Sequence, residues 1–150
     1  MAARAEPAEG LTEEERQAVR DRAAEQRTAK RLKGADRAAA EAQEVLERIA
    51  AMPQPDRGLA ERIHRIVLDA APGLAPRTWY GMPAYAWDGK VVCFFQNAGK
   101  FKARYSTLGF NDAARLDDGA LWATAFAVTE AFGDEDATRV AELVRRAMSR

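Results

Sequence analysis

The sequence has one cysteine, one histidine and no net charge at neutral pH. Each shortage removes a class of protein. A single cysteine excludes an internal disulfide framework, and its place in the apolar run Val91-Val92-Cys93-Phe94-Phe95 reads as a buried thiol of the reducing cytoplasm. A lone His64 cannot build a histidine-based metal set or a Ser-His-Asp triad within one chain. With 23 basic residues balanced by 23 acidic ones, no global field draws the chain toward nucleic acid or membrane. No apolar run approaches the roughly 18 residues needed to span a bilayer, and the N-terminus lacks the apolar centre of a signal peptide. A phosphate-cradling loop is also missing, since Gly81, Gly89, Gly99 and Gly109 are separate turn glycines. These absences lead to the expectation of a cytoplasmic, membrane-free, non-enzymatic protein.

The stretch Trp79–Tyr105 holds most of the aromatic residues together with two hairpin signals. Asp88-Gly89 suits a two-residue type I′ turn, and Asn97-Ala98-Gly99 suits a three-residue loop. Antiparallel strands are therefore expected over about 83–88, 90–96 and 100–106. Turn length fixes register, so Tyr85 is expected opposite Val92, Phe94 opposite Lys102, and Val92 opposite Arg104. Tyr85, Trp87, Phe94, Lys102 and Arg104 would then share one mixed face. The opposite face would carry Met82, Ala84, Ala86, Cys93 and Phe95 toward the core. An aromatic and basic face can bind carboxylate, phosphate or a planar ring by charge and stacking. Those five residues are the expected binding site for a small ligand or protein partner.

Around this centre the chain reads as helical. Thr12 with Glu15 forms a capping-box signal, and Gly34 offers a stop near residue 33. Between them Val19 and Leu32 project to different sides, which predicts a solvated, charged helical extension over 1–35. Residues 20–37 hold seven basic side chains against three acidic, but no interleaved aromatic residue for base stacking. Nucleic acid is thus not the expected partner. A domain over 36–150 follows. It starts with a helix over about 36–51 and another over about 57–71, capped by Asp56 and striped with Leu59, Ile63, Ile66, Val67 and Ala70. A short strand near 78–80, a short helix at 112–116, a strand over 122–128 and a last helix capped by Asp134 and running to about 148 complete the series. The expected fold is an α+β two-layer sandwich, an antiparallel sheet of four to five strands with N- and C-terminal helices on one face.

The runs Trp79-Tyr-Gly-Met-Pro-Ala-Tyr85, Asp88-Gly-Lys-Val-Val-Cys-Phe-Phe95, Lys100-Phe-Lys-Ala-Arg-Tyr105 and Leu108-Gly-Phe110 resemble the bacterial YdhG-like family of unknown function, over about 56–148. The resemblance implies a frataxin-like fold and an iron-chaperone role. Hard iron ions bind exposed carboxylate oxygens. The acidic surface set that such a role would draw on is Asp134, Glu135 and Asp136, which also have reason to stand at a helix N-terminus.

Overall fold

The computed structural model describes residues 10–149 and shows four α-helices and a five-stranded antiparallel sheet. Helix α1 spans Glu13–Arg31, α2 Gly34–Ala50, α3 Asp56–Ala70 and α4 Asp134–Ala147. Strands β1 (Ala75–Trp79), β2 (Met82–Trp87), β3 (Lys90–Gln96), β4 (Ser106–Phe110) and β5 (Ala125–Val128) pair in chain order as a meander. The α+β sandwich expected from the pattern is present. No helix among the described residues is long and apolar enough to cross a membrane.

Apolar stripes place the helices. Ile63 and Val67 of α3, Val140 and Val144 of α4, and Val45 and Ile49 of α2 join Tyr85, Cys93, Phe95 and Leu108 in one buried cluster. Burying a side chain of that size contributes about 1.5–3 kcal/mol, so this layer dominates stability. Both ends of α1 also form as composition dictates. Thr12 Oγ1 accepts from Glu15 N at 3.0 Å while Glu15 Oε1 accepts from Thr12 N at 2.9 Å. The helix stops at Arg31, and Gly34, with φ of 62°, begins α2.

The hairpin register departs from the turn-based expectation. Asp88 and Gly89 both adopt positive φ, as a type I′ turn requires, and Trp87 pairs with Lys90 as expected. A bulge then intervenes. Ala86 faces Val91, but Tyr85 faces Cys93, so β3 carries one extra residue at Val92. An inserted residue reverses which side chains share a face from that point on. Tyr85 therefore joins Cys93 and Phe95 on the core face, whereas Met82, Ala84 and Ala86 share the opposite face with Phe94.

Four further expectations are corrected. The strand placed at 100–106 lies instead at Ser106–Phe110, where Thr107 pairs with Gln96 and Gly109 with Phe94, after a connection containing a single 3-10 turn at Ala98–Lys100. Residues 112–116 form turns and no helix, with Ala114 and Leu116 buried. Gly133, not Asp134, is the N-cap of α4, and Asp136 accepts from its N–H at 2.8 Å. Asp56 lies inside α3, where its Oδ2 accepts from Gly99 N at 2.8 Å and Asn97 Nδ2 at 3.1 Å. It secures the β3–β4 connection.

Helix α1 is docked, not solvated. Its Ala18, Asp21 and Glu25 lie seven residues apart at the extremes, on one helical face, and all three are buried. Along that face Glu14 pairs with Lys102 at 3.0 Å, Asp21 with Lys100 at 3.6 Å and Arg48 at 3.1 Å, and Glu25 reaches the β1–β2 turn. The helix thus runs along the end of the sheet from the β3–β4 connection to the Tyr80-Gly81 turn. Carboxylates, which an apolar-stripe criterion ignores, hold it there.

Candidate functional site

The five expected site residues do not converge. Tyr85 is fully buried, and its hydroxyl lies 2.9 Å from His64 Nδ1. Burial, followed by the charge of Cys93, raises its pKa far above the ordinary phenol value, so the hydroxyl keeps its proton and shares a neutral hydrogen bond with the ring nitrogen. Trp87 is 43% exposed beside the β2–β3 turn. Lys102 and Arg104 belong to the β3–β4 connection at the opposite end of the sheet, Lys102 paired with Glu14 and the Arg104 guanidinium 5.0 Å from the Tyr105 ring centroid. Phe94 alone lies on the open sheet face as expected. It covers Gly109, where a Cβ would penetrate its ring.

Other residues assemble a basic and aromatic cleft on that open face. The register Trp79↔Met82 and Arg77↔Ala84 sets both β1 side chains on the Phe94 side of the sheet. Trp79 meets Phe94 with ring centroids 5.3 Å apart and Tyr80 at 5.1 Å. Beside Trp79 opens a cleft of about 490 Å³ lined by Arg22, Arg77 and Lys90 together with Val91, Asn111 and Asp112. Arg77 Nε is buried and has no hydrogen-bond partner. A buried donor without a partner carries an unrecovered desolvation cost, about 1–3 kcal/mol. Three cations face a single carboxylate here, so the cleft is electropositive although the chain as a whole is neutral.

Helix α1 supplies one wall through a network at the β1–β2 turn. Tyr80 and Gly81 both have positive φ, the I′ pattern that usually calls for Asn-Gly. Glu25 accepts from Tyr80 N at 3.0 Å and Gly81 N at 2.9 Å, which offsets the strain of tyrosine in that conformation. A side chain at Gly81 would strike Asp21 and Lys100. Burial raises the Asp21 pKa, but hydrogen bonds from Gln17 and Arg48 and the charges of Arg48 and Lys100 outweigh it and leave the carboxyl below its ordinary value. With Asp21 and Glu25 so anchored, Arg22 between them projects to the cleft, 3.6 Å from Glu25 and 5.9 Å from the Tyr80 ring centroid.

The remaining candidates have local partners. Burial pushes the Cys93 thiol up to about 12. Burial, then the charge of Arg65, lowers the His64 pKa and favours the neutral ring. Asp134 Oδ1 pairs with Arg62 at 2.7 Å and Asp136 serves the α4 N-terminus, while Glu135 is exposed in the first turn. Among the described residues no group of three or more His, Cys, Asp or Glu side chains is placed to hold a metal ion.

Sequence reasoning missed Trp79, Arg77, Arg22 and Lys90 as a set. A signal existed for the first two: treating Tyr80-Gly81 as a two-residue hairpin turn pairs Trp79 with Met82 and places Arg77 two residues along the same face. Nothing in the sequence marked Arg22. Comparison with family models, curated proteins and solved structures finds no match to this chain.

Proposed function

We propose that this chain is a binding domain that takes a small anion, carboxylate or phosphate, borne on a planar group, in the open-face cleft at Arg77 and Trp79. The observation that carries this reading is the convergence of three cations, Arg22, Arg77 and Lys90, on one cleft beside the aromatic wall of Trp79. A guanidinium presents donors in a planar fork that matches both oxyanions, and an indole face adds stacking that is indifferent to exact ring chemistry. The aromatic and basic character expected of a sheet-face site is retained with different residues. No proton transfer or covalent step is required of any group in the cleft, so the role is recognition.

Calorimetric titration with aryl phosphates, aryl carboxylates and inorganic phosphate tests the reading. Aryl anions are expected to bind more tightly than inorganic phosphate, and Arg77→Ala is expected to cost about 1.5–3 kcal/mol, the worth of a hydrogen bond to a charged group. Arg77→Lys should recover part of that loss and Trp79→Ala should remove the preference for rings. Equal binding by wild type and Arg77→Ala would refute it.

A further inference from the structure

The two edges of the sheet are built differently. β1 contains Pro76 and Arg77 and is overlaid by α2, the usual devices that discourage strand addition. β5 carries neither proline nor charge and is blunted only by its length of four residues. Its sequence is Ala-Phe-Ala-Val, it contains no charge, proline or bulge, and Ala125 and Ala127 are exposed. Phe110 N donates to Thr124 O at 2.7 Å, so the alternation of an antiparallel ladder turns the backbone groups of Thr124 and Phe126 toward β4 and those of Ala125 and Ala127 outward.

A groove flanks this open edge. About 840 Å³ lies between the segment leading into β5 and α4, and its apolar wall is formed by Leu121, 89% exposed, and Trp122, 38% exposed, with Phe126. On the α4 side stand Arg139, Arg145 and Arg146, with Arg139 5.5 Å from the Phe126 ring centroid. Asp118 and Glu142 also line the groove, leaving an excess of positive charge.

We infer that β5 is a docking edge for an extended acidic peptide, which adds to the sheet as a sixth strand. Main-chain bonds to Ala125 and Ala127 give attachment. Every second side chain of the added strand, about 6.6–6.8 Å apart, faces the groove, where an apolar residue meets Trp122 and Asp or Glu meets the arginines. Charge complementarity selects this occupant over a second copy of the chain. Pairing β5 with itself would set one net-positive groove, its three arginines only partly offset by Asp118 and Glu142, beside another across the new interface.

The test uses the full chain and displayed octapeptides in which alternate positions are randomised and the others are threonine. Expected is enrichment of Asp and Glu with one apolar position, and at least a tenfold loss of affinity for Ala127→Pro. That substitution removes an outward N–H without breaking a bond to β4. A selected peptide N-methylated at alternate amides should lose as much against wild type, which guards against a folding defect in the proline variant. Arg139→Ala with Arg146→Ala should weaken acidic peptides but not neutral ones. No enrichment, enrichment of basic residues, or indifference to N-methylation would overturn the inference. So would a concentration-dependent dimer in sedimentation that Ala127→Pro dissociates, because the occupant would then be a second copy. Failure of the Arg77 cleft to bind anions leaves these outcomes unchanged, since the two sites share no residue.

Discussion

Replacing Glu25 by alanine discriminates between a docked α1 and a solvated one. The carboxylate is buried and accepts two backbone N–H bonds, from Tyr80 and Gly81, at 3.0 and 2.9 Å. A hydrogen bond to a charged group contributes about 1.5–3 kcal/mol. Tyr80 is 37% exposed, so its N–H can turn to water in the variant, whereas the Gly81 N–H is buried and would be left unpaired. Arg22 would lose its 3.6 Å partner but can be solvated. The combined cost is about 2–4 kcal/mol, and for a domain of this size about 3 kcal/mol lowers the thermal midpoint by roughly 6–12 °C. Glu25→Gln keeps one acceptor oxygen and should cost roughly half as much. The assay is urea unfolding at pH 7 for both variants, with thermal midpoints in parallel. A solvated charged helix predicts a change below about 0.5 kcal/mol, the usual range for surface substitutions. That result, in both variants, would refute the docking argument and remove the wall that positions Arg22.

Gly109→Ala places a methyl group into the Phe94 ring and should destabilise by about 1–3 kcal/mol, the cost of overpacking. Adding Phe94→Ala should restore part of that loss, and a double-mutant cycle with no coupling would show that the two do not touch. His64 is the sole histidine, and its folded pKa lies below the unfolded value of about 6.5. The unfolded chain therefore takes up the proton first, so stability is full above about pH 6.5 and declines as pH falls toward the folded value. Urea midpoints between pH 7.5 and 5.5 should fall in wild type and stay flat in His64→Gln; a flat wild-type profile would contradict this. Cys93, buried and pushed up to about 12, should react with a disulfide reagent only as fast as the protein opens. Immediate stoichiometric labelling of folded protein would mean the thiol is accessible.

The sequence by itself determined the elements whose signals are local. Stripes such as Ile63 with Val67 and Val140 with Val144 fixed which helices cover the sheet, because the helical repeat alone sets which side chains share a face. The Thr12–Glu15 box and the Asp88-Gly89 turn follow from hydrogen-bonding and φ preferences that act over a few residues. The binding site was less legible. A bulge at Val92 has no residue signature in a Val-Val run, yet it moved Tyr85 from the expected face into the core. The connection after Gln96 is held by Asp56, a residue on a distant helix, so turn chemistry alone could not reveal that the next strand begins at Ser106. Helix α1 shows the same limit from the other side. Its anchoring carboxylates look like ordinary surface charge until Arg48, Lys100 and two turn N–H groups, far apart in sequence, are brought to them. Long-range polar contacts of this kind have no period along the chain. Only the tertiary structure decided that Arg22, Arg77, Lys90 and Trp79 would line one cleft.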